Sequence, residues 1–425
     1  MKDKTKIKEL TDGYFLDHGG IIYPYIAKPD WNQVFRLEAE LDEKIDVQNI
    51  VSSLTQLRRK FPSFFVTIEK RKYFVVLKKT VSLPDIVPEG GLCLPFDLAE
   101  KSKPLFRITY SQNRLGMELF HSVADGTGAM IFFANLIAQY YINEGRKIDT
   151  SSDIFNHGFK FEKSDTENSF LKAFDPKAKN SSRSEKPAYQ YGSGKPEGEL
   201  SLTTFKTDVN VLKDYAKGIN ATVTELLVAV YTKALCMCAI NEDKTDKNIK
   251  IEVPMNLRKR YDSTTLRNFS LYFITSAPPD CADASLEDIV EILKPQFVLG
   301  SNTKKLTQDI HTNVSQSEMP VFKALPNFVK KGLLKVGSAM YGERLFTSPL
   351  SNIGVITLPE DIKKHILSFG FVIGRTLKNT VYSGVLTYEN ELYWCLSSAT
   401  KSDSLEKNIQ KILGETGAQV QITKR

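Results

Sequence analysis

Residues 121 to 126 read His-Ser-Val-Ala-Asp-Gly, and this histidine is the side chain best placed to move a proton. Its unperturbed pKa, about 6.5, lies close to working pH, which makes imidazole the usual general base. His121 follows the apolar run of residues 115 to 120 and precedes a glycine-containing turn, so it can project from rigid backbone into a cleft. Asp125, four residues on, can curl back under the turn and pair with an arginine, and Gly126 permits tight backbone there. A base beside an attacking hydroxyl or amine, a donor for the oxyanion and a channel that excludes water are what acyl transfer from a thioester needs. The competing reading makes His121 a hydrogen-bonded core histidine and Asp125-Gly126-Thr127 a helix-capping turn.

The remaining reactive residue types give fainter signals. His18, His157, His311 and His365 stand in polar or charged stretches and read as surface groups, none at metal-ligand spacing from a neighbour. Five cysteines, at 93, 236, 238, 281 and 395, include no Cys-x-x-Cys pair. No metal is expected, and a reduced, cytoplasmic protein is. The 25 Phe and 17 Tyr can line an acyl or acceptor tunnel, although such residues are more often core.

The elements that must position His121 can be read from periodicity. Alternation at Phe35, Leu37, Ala39 and Leu41 predicts a strand, and Asp46 then precedes the helical spacing Ile50, Leu54, Leu57. Residues 64 to 77 suit a hairpin about Glu69-Lys70-Arg71-Lys72, and residues 105 to 110 and 115 to 120 form a strand pair about Ser111-Gln112-Asn113. After Gly126-Thr127-Gly128 the spacing Met130, Phe133, Leu136, Ile137, Tyr140 is helical and stops near Gly145. The histidine segment therefore joins a strand end to a helix start.

Ser, Lys, Asn, Gly and Pro dominate from about Thr150 to Glu199, which divides the chain into a first lobe over 1–175, a linker over 176–199 and a second lobe over 200–425. The second half opens with a strand at 200–209, a helix from Val211, and a helix from Thr224 to about Ala239 capped by Asn220 or Thr222. A buried strand at 249–253 ends in Pro254-Met255-Asn256-Leu257-Arg258. Further strands are expected at 269–275, 353–357, 369–373, 380–388 and 391–398. Mixed α/β content in both halves argues for two layered sandwich lobes.

At 425 residues the chain exceeds the roughly 250 to 300 at which a single core stops growing. Apolar residues at 41% and charged residues at 25% are near the averages for folded globular proteins and suggest neither a disordered nor a membrane class. Lys and Arg exceed Asp and Glu by 57 to 50, a weak surplus that an ordinary surface, a phosphorylated cofactor or an acidic carrier protein would each fit. Nucleic-acid binding is not expected, since Arg58-Arg59-Lys60 and Arg258-Lys259-Arg260 lack interleaved aromatics. No secretory apolar core is found near Met1, and the apolar runs 129–141 and 221–240 are broken by polar residues, so they read as core helices rather than transmembrane segments.

With these residues in view, the chain resembles the chloramphenicol acetyltransferase-like acyltransferases, in particular the two-lobed group of condensation domains and alcohol acetyltransferases. His121-Ser122-Val123-Ala124-Asp125-Gly126 looks like their active-site signature, His-x-x-x-Asp-Gly. Residues 46 to 62, with Arg58-Arg59-Lys60-Phe61-Pro62, are similar to the first helix and its turn, and residues 222 to 239 to the second-lobe helix. Val253-Pro254-Met255-Asn256-Leu257-Arg258, followed by Asn268-Phe269, resembles the strand whose arginine pairs with the motif aspartate, which implies an Asp125–Arg258 pair; an exposed strand-end charge is the alternative for Arg258. Ser351-Asn352-Ile353-Gly354 looks like the late strand that crosses toward the first lobe, where Ser351 or Asn352 would contact the oxyanion or substrate, or be loop residues. Phe120 stands where peptide-forming condensation domains usually carry a second histidine, and Ser368-Phe369-Gly370-Phe371 is only an echo of the plant-type Asp-Phe-Gly-Trp-Gly signature.

The resemblance implies an α/β fold of two lobes, each a mixed β-sheet packed with helices, with the active site in the cleft between them. It implies transfer of an acyl group from acyl-CoA or an acyl-phosphopantetheine carrier protein, acting as co-substrate rather than bound cofactor, to the hydroxyl of a small-molecule acceptor, with His121 as base. Amide formation on carrier-bound substrates, with an amine acceptor, and a non-catalytic binding protein of the same fold are the alternatives.

Overall fold

The alternation at Phe35, Leu37, Ala39 and Leu41 becomes the strand Val34–Leu41, whose four apolar side chains enter one core. That strand lies near the middle of a five-stranded sheet ordered Ile366–Ile373, Val34–Leu41, Arg114–Phe120, Phe106–Ser111, Asp85–Pro88. Its polar face is buried too. Arg36, 1% exposed, reaches Glu38 at 2.8 Å and Glu89 at 2.6 Å, and Arg107 reaches Glu118 at 2.9 Å. Each charge there has a partner, the condition under which buried ions are tolerated. The helices Val47–Leu57 and Gly126–Asn143 pack on the apolar face, the first capped by the Asp46 carboxylate on the Gln48 N–H at 2.8 Å. The computed structural model describes residues 10–155, 161–181 and 185–425, without the side chains of 153, 336 and 338–341. A small sheet of Gly13–Phe15, Val75–Lys79 and Val66–Lys70 flanks this lobe.

The second lobe is built on a seven-stranded sheet ordered Ser270–Ala277, Ile249–Asn256, Ser348–Ile356, Val381–Tyr388, Glu391–Ser398, Ser201–Asp208, Gln421–Lys424. Helices Val223–Asn241, Leu286–Gly300 and Ser404–Glu415 share its core. Val223–Asn241 is apolar and long enough to cross a membrane by composition, and 72% of its most apolar window is buried inside the protein. Thr222 and Glu225 form its capping box, whereas Asn220 sits at φ 53° and caps nothing.

One irregularity of this sheet sets the position of the site. Ile249–Asn256 and Ser348–Ile356 pair in parallel only at Ile251 with Ser348 and at Glu252 with Pro349. Beyond that point the first strand stays with Ser270–Ala277 and the second with Val381–Tyr388, so the sheet forks. The strand expected to end before Pro254 runs on to Asn256, because the edge facing the fork needs no N–H from proline there.

Several expectations are corrected. The late strand in the first-lobe sheet is Ile366–Ile373, which contains Ser368-Phe369-Gly370-Phe371, while residues 351 to 354 stay in the seven-stranded sheet. Residues 286 to 341, to which the sequence reading assigned no element, hold the helices Leu286–Gly300, Thr303–Glu318 and Asn327–Tyr341. Tyr189 and Tyr191, within the stretch read as a linker, are buried in the second-lobe core.

Candidate active site

The strand Arg114–Phe120 delivers the chain to the cleft with Phe120 buried and His121 at the edge. The His121 N–H donates to the Gln33 carbonyl at 2.9 Å and the Ser122 hydroxyl to the Gly20 carbonyl at 3.0 Å, fixing the turn on both sides. Asp125 then caps the helix Gly126–Asn143 through the Gly128 N–H at 3.0 Å. This wedge enters the fork. A Cβ on Gly126 would lie 2.9 Å from Ile353 Cγ2 on one arm, and Thr127 Oγ1 accepts from Asn256 on the other at 3.1 Å. Close approach, not a positive φ, is what requires glycine at 126. Gly128 is tighter still, since a Cβ there would stand 1.9 Å from the Leu266 carbonyl oxygen.

Asp125 and Arg258, 5% and 8% exposed, meet in bidentate geometry, each guanidinium nitrogen 2.9 Å from a carboxylate oxygen. The Phe269 N–H adds a fourth hydrogen bond to Asp125 at 2.9 Å. Arg258 also donates to the Thr265 and Arg267 carbonyls, both at 2.7 Å. The carboxylate is thereby engaged through both oxygens in tying the turn to the second lobe.

The His121 ring lies against Tyr23, centroids 4.6 Å apart, and meets Phe35 edge-on at 5.2 Å. Nδ1 is 3.0 Å from Asn268 Oδ1. The Asn268 amide is oriented by Asp17, which accepts from its backbone N–H at 3.3 Å and from Nδ2 at 3.4 Å and is itself held by Arg267 at 3.3 Å. With its NH₂ turned to a carboxylate, Asn268 presents oxygen to the ring, so Nδ1 carries the hydrogen and the Nε2 lone pair is left for the cleft. Burial pushes the His121 pKa below its ordinary value; the ring's hydrogen bond to its own backbone carbonyl, the Asp125 charge and Asn268 act in the opposite sense. Glu252, at the base of the fork, has its carboxyl pushed up to about 8 by burial and by Glu343.

His121, Asp125, Gly126, Ser351 and Asn352 all line one cleft of about 3410 Å³ with walls from both lobes. The Asn352 amide is committed to its own lobe, donating to Thr224 at 3.2 Å and accepting from the Gly354 N–H at 2.9 Å. Ser351 is half-buried on the same wall. Histidines read as surface groups are tied down instead. The buried His18 side chain lies 2.9 Å from Asn168 and 3.7 Å from Glu318, His311 stacks on Phe174, and His365 stacks on Tyr141 and bonds Asp42 at 2.7 Å. His157 lies outside the described residues. Sequence reasoning assigned no role to Asp17, Tyr23, Glu252 or Asn268. Only Asn268 carried a signal, as part of Asn268-Phe269.

No protein-family model matches this chain, and no curated protein matches its sequence. Solved structures do. TRI101 of F. graminearum, complexed with coenzyme A and deoxynivalenol, superposes with a TM-score of 0.65 at 10% identity, covering 96% of this chain and 99% of that one. The chain has the two-lobed chloramphenicol acetyltransferase-like fold. A wax ester synthase/diacylglycerol acyltransferase from Marinobacter aquaeolei VT8 is similar with a TM-score of 0.55 at 12% identity, covering 93% and 98%. The starter condensation domain of rhizomide synthetase RzmA, in complex with C8-CoA and Leu-SNAC, gives 0.57 at 13% identity, covering 96% and 94%.

Proposed function

We propose that this protein is an acyltransferase that moves an acyl group from a thioester, acyl-CoA or carrier-bound, to a hydroxyl acceptor, with His121 as general base. The observation that carries the proposal is the ring itself: Nδ1 is held by Asn268 while Nε2 has no hydrogen-bond partner among the described residues and the ring lines a cleft between two lobes. Nε2 takes the acceptor's proton as its oxygen attacks the thioester carbonyl. The proton then returns to the thiolate as the C–S bond breaks, and no acyl-enzyme is formed. Ser351 lines the cleft, which supports its hydroxyl as a donor to the developing oxyanion, and the Asn352 side chain shapes the strand that carries it. A cleft of about 3410 Å³ exceeds the roughly 300 to 1,000 Å³ of a single-ligand pocket, which fits a donor and an acceptor bound together. Two neighbours of this fold, TRI101 complexed with coenzyme A and the RzmA starter condensation domain complexed with C8-CoA, support a CoA thioester as donor. Phe120 stands where peptide-forming condensation domains usually carry a second histidine, which favours an alcohol over the amine of an amide-forming enzyme.

Thiol release measured with acyl-CoAs of graded length and a panel of alcohols tests this. Release that depends on both donor and alcohol is expected, faster than with carrier thioesters or amines. Tight binding of donor with no transfer from any thioester would instead make the chain a binding protein.

A further inference from the structure

Residues 319 to 342 contain four lysines and no acidic residue; Lys323 pairs with Glu318 just before them and Lys330 is buried, which leaves Lys331 and Lys335 on the exposed side. Within this stretch, the helix Asn327–Tyr341 is fastened to the first lobe. Asn327 accepts from the Tyr25 hydroxyl at 2.7 Å and donates its backbone N–H to the Lys72 carbonyl at 3.1 Å, while Lys330 donates to the Tyr73 carbonyl and Leu334 packs on the first-lobe core. The positions one residue on, Phe328, Lys331 and Lys335, are exposed and lie along an adjacent stripe at helical spacing. Phe328 is 77% exposed, and Val321 (71%), Met319 (52%) and Leu333 (53%) are exposed nearby. The contact through Asn327 and Lys330 joins this surface to the hairpin tip Lys70-Arg71-Lys72-Tyr73-Phe74, whose acidic neighbours are already paired, Glu69 with Arg71 and Lys78 and Asp12 with Arg71.

Scattered exposed apolar side chains are ordinary, but a contiguous set interleaved with cations is not. A second copy of this chain would bring lysines against lysines, and an acidic hydrophilic partner would leave the apolar groups uncovered. An anionic bilayer satisfies both, taking lysines at its headgroups and apolar side chains at the acyl boundary. We propose that residues 319–335 and the tip of the hairpin at 70–74 dock on an anionic lipid surface. Val321, Leu325 and Leu333 also line the cleft that holds His121, so docking sets the cleft mouth at the bilayer. An alkyl-bearing acceptor or product would then pass between membrane and site without crossing water, a consequence that rests on the transfer reading, whereas the docking itself does not.

Flotation with vesicles tests the docking without any need for activity. The wild type should float with vesicles containing about 30% phosphatidylglycerol, stay down with phosphatidylcholine alone, and be released as salt rises. Phe328→Glu combined with Lys331→Glu should lower the partition coefficient at least about tenfold, with Lys331→Glu alone intermediate. Neither change should alter melting temperature or transfer to a short soluble alcohol. The proposal is overturned if the wild type ignores the anionic vesicles, if the double variant floats like the wild type, or if the same substitutions dissolve a concentration-dependent dimer that binds no vesicle.

Discussion

At the scale of single residues, the chemistry of His121 is decided by a neighbour's neighbour. Asp17 turns the Asn268 amide, and Asn268 turns the ring. Because burial disfavours the charged imidazole, the neutral base persists further into acid than a free histidine would. The acid limb of kcat/KM should therefore fall below pH 6.5, and Glu252, near 8, lies on the other side of that value. Asn268→Ala removes an interaction that favours the protonated ring, so it should move the acid limb to lower pH while lowering kcat by roughly tenfold to 100-fold through loss of the tautomer. A pH–rate series on both proteins checks this, and loss of activity with an unmoved limb would reduce Asn268 to a merely structural residue. The motif from His121 to Gly126 was legible because its residues are contiguous. The roles of Asn268 and Asp17 were not, since Asn268 stands 147 positions from His121 and 251 from Asp17, and sequence periodicity says nothing about such pairs.

Among the elements, the fork in the seven-stranded sheet and the wedge of residues 121 to 128 define the site together. The Asp125–Arg258 pair clamps them and is almost wholly out of water. Removing one partner leaves the other buried and uncompensated, so Asp125→Ala should cost about 3 to 5 kcal/mol of stability. Chemical denaturation measures it, and a variant that unfolds at the parental midpoint would contradict the clamp. The strands flanking His121 were readable because each has one strongly apolar face. Thr303–Glu318 was not, since it buries little beyond Leu306, Ile310 and Val314 and shows a faint period, and Leu286–Gly300 carries Pro295 within it. The fork was illegible for another reason: nothing in Pro349 or Pro254 alone states which strands lie beside them.

For the molecule as a whole, two cores meet at a cleft, and the His121 ring belongs to the wall between them rather than to either interior. The two-lobed architecture followed from composition change and mixed α/β patterning. The strand Ile366–Ile373, which leaves the second half to complete the first sheet, makes the lobes interdependent in a way that no linear division of the chain conveys. A side chain on that wall contributes chemistry more than packing, which makes its truncation the most direct test. His121→Ala should melt within a few degrees of the parent and still bind donor thioester, yet transfer acyl groups to alcohol roughly 10² to 10⁴ times more slowly. Parental turnover by His121→Ala, or its failure to fold, would show that the ring is a core histidine and not the base.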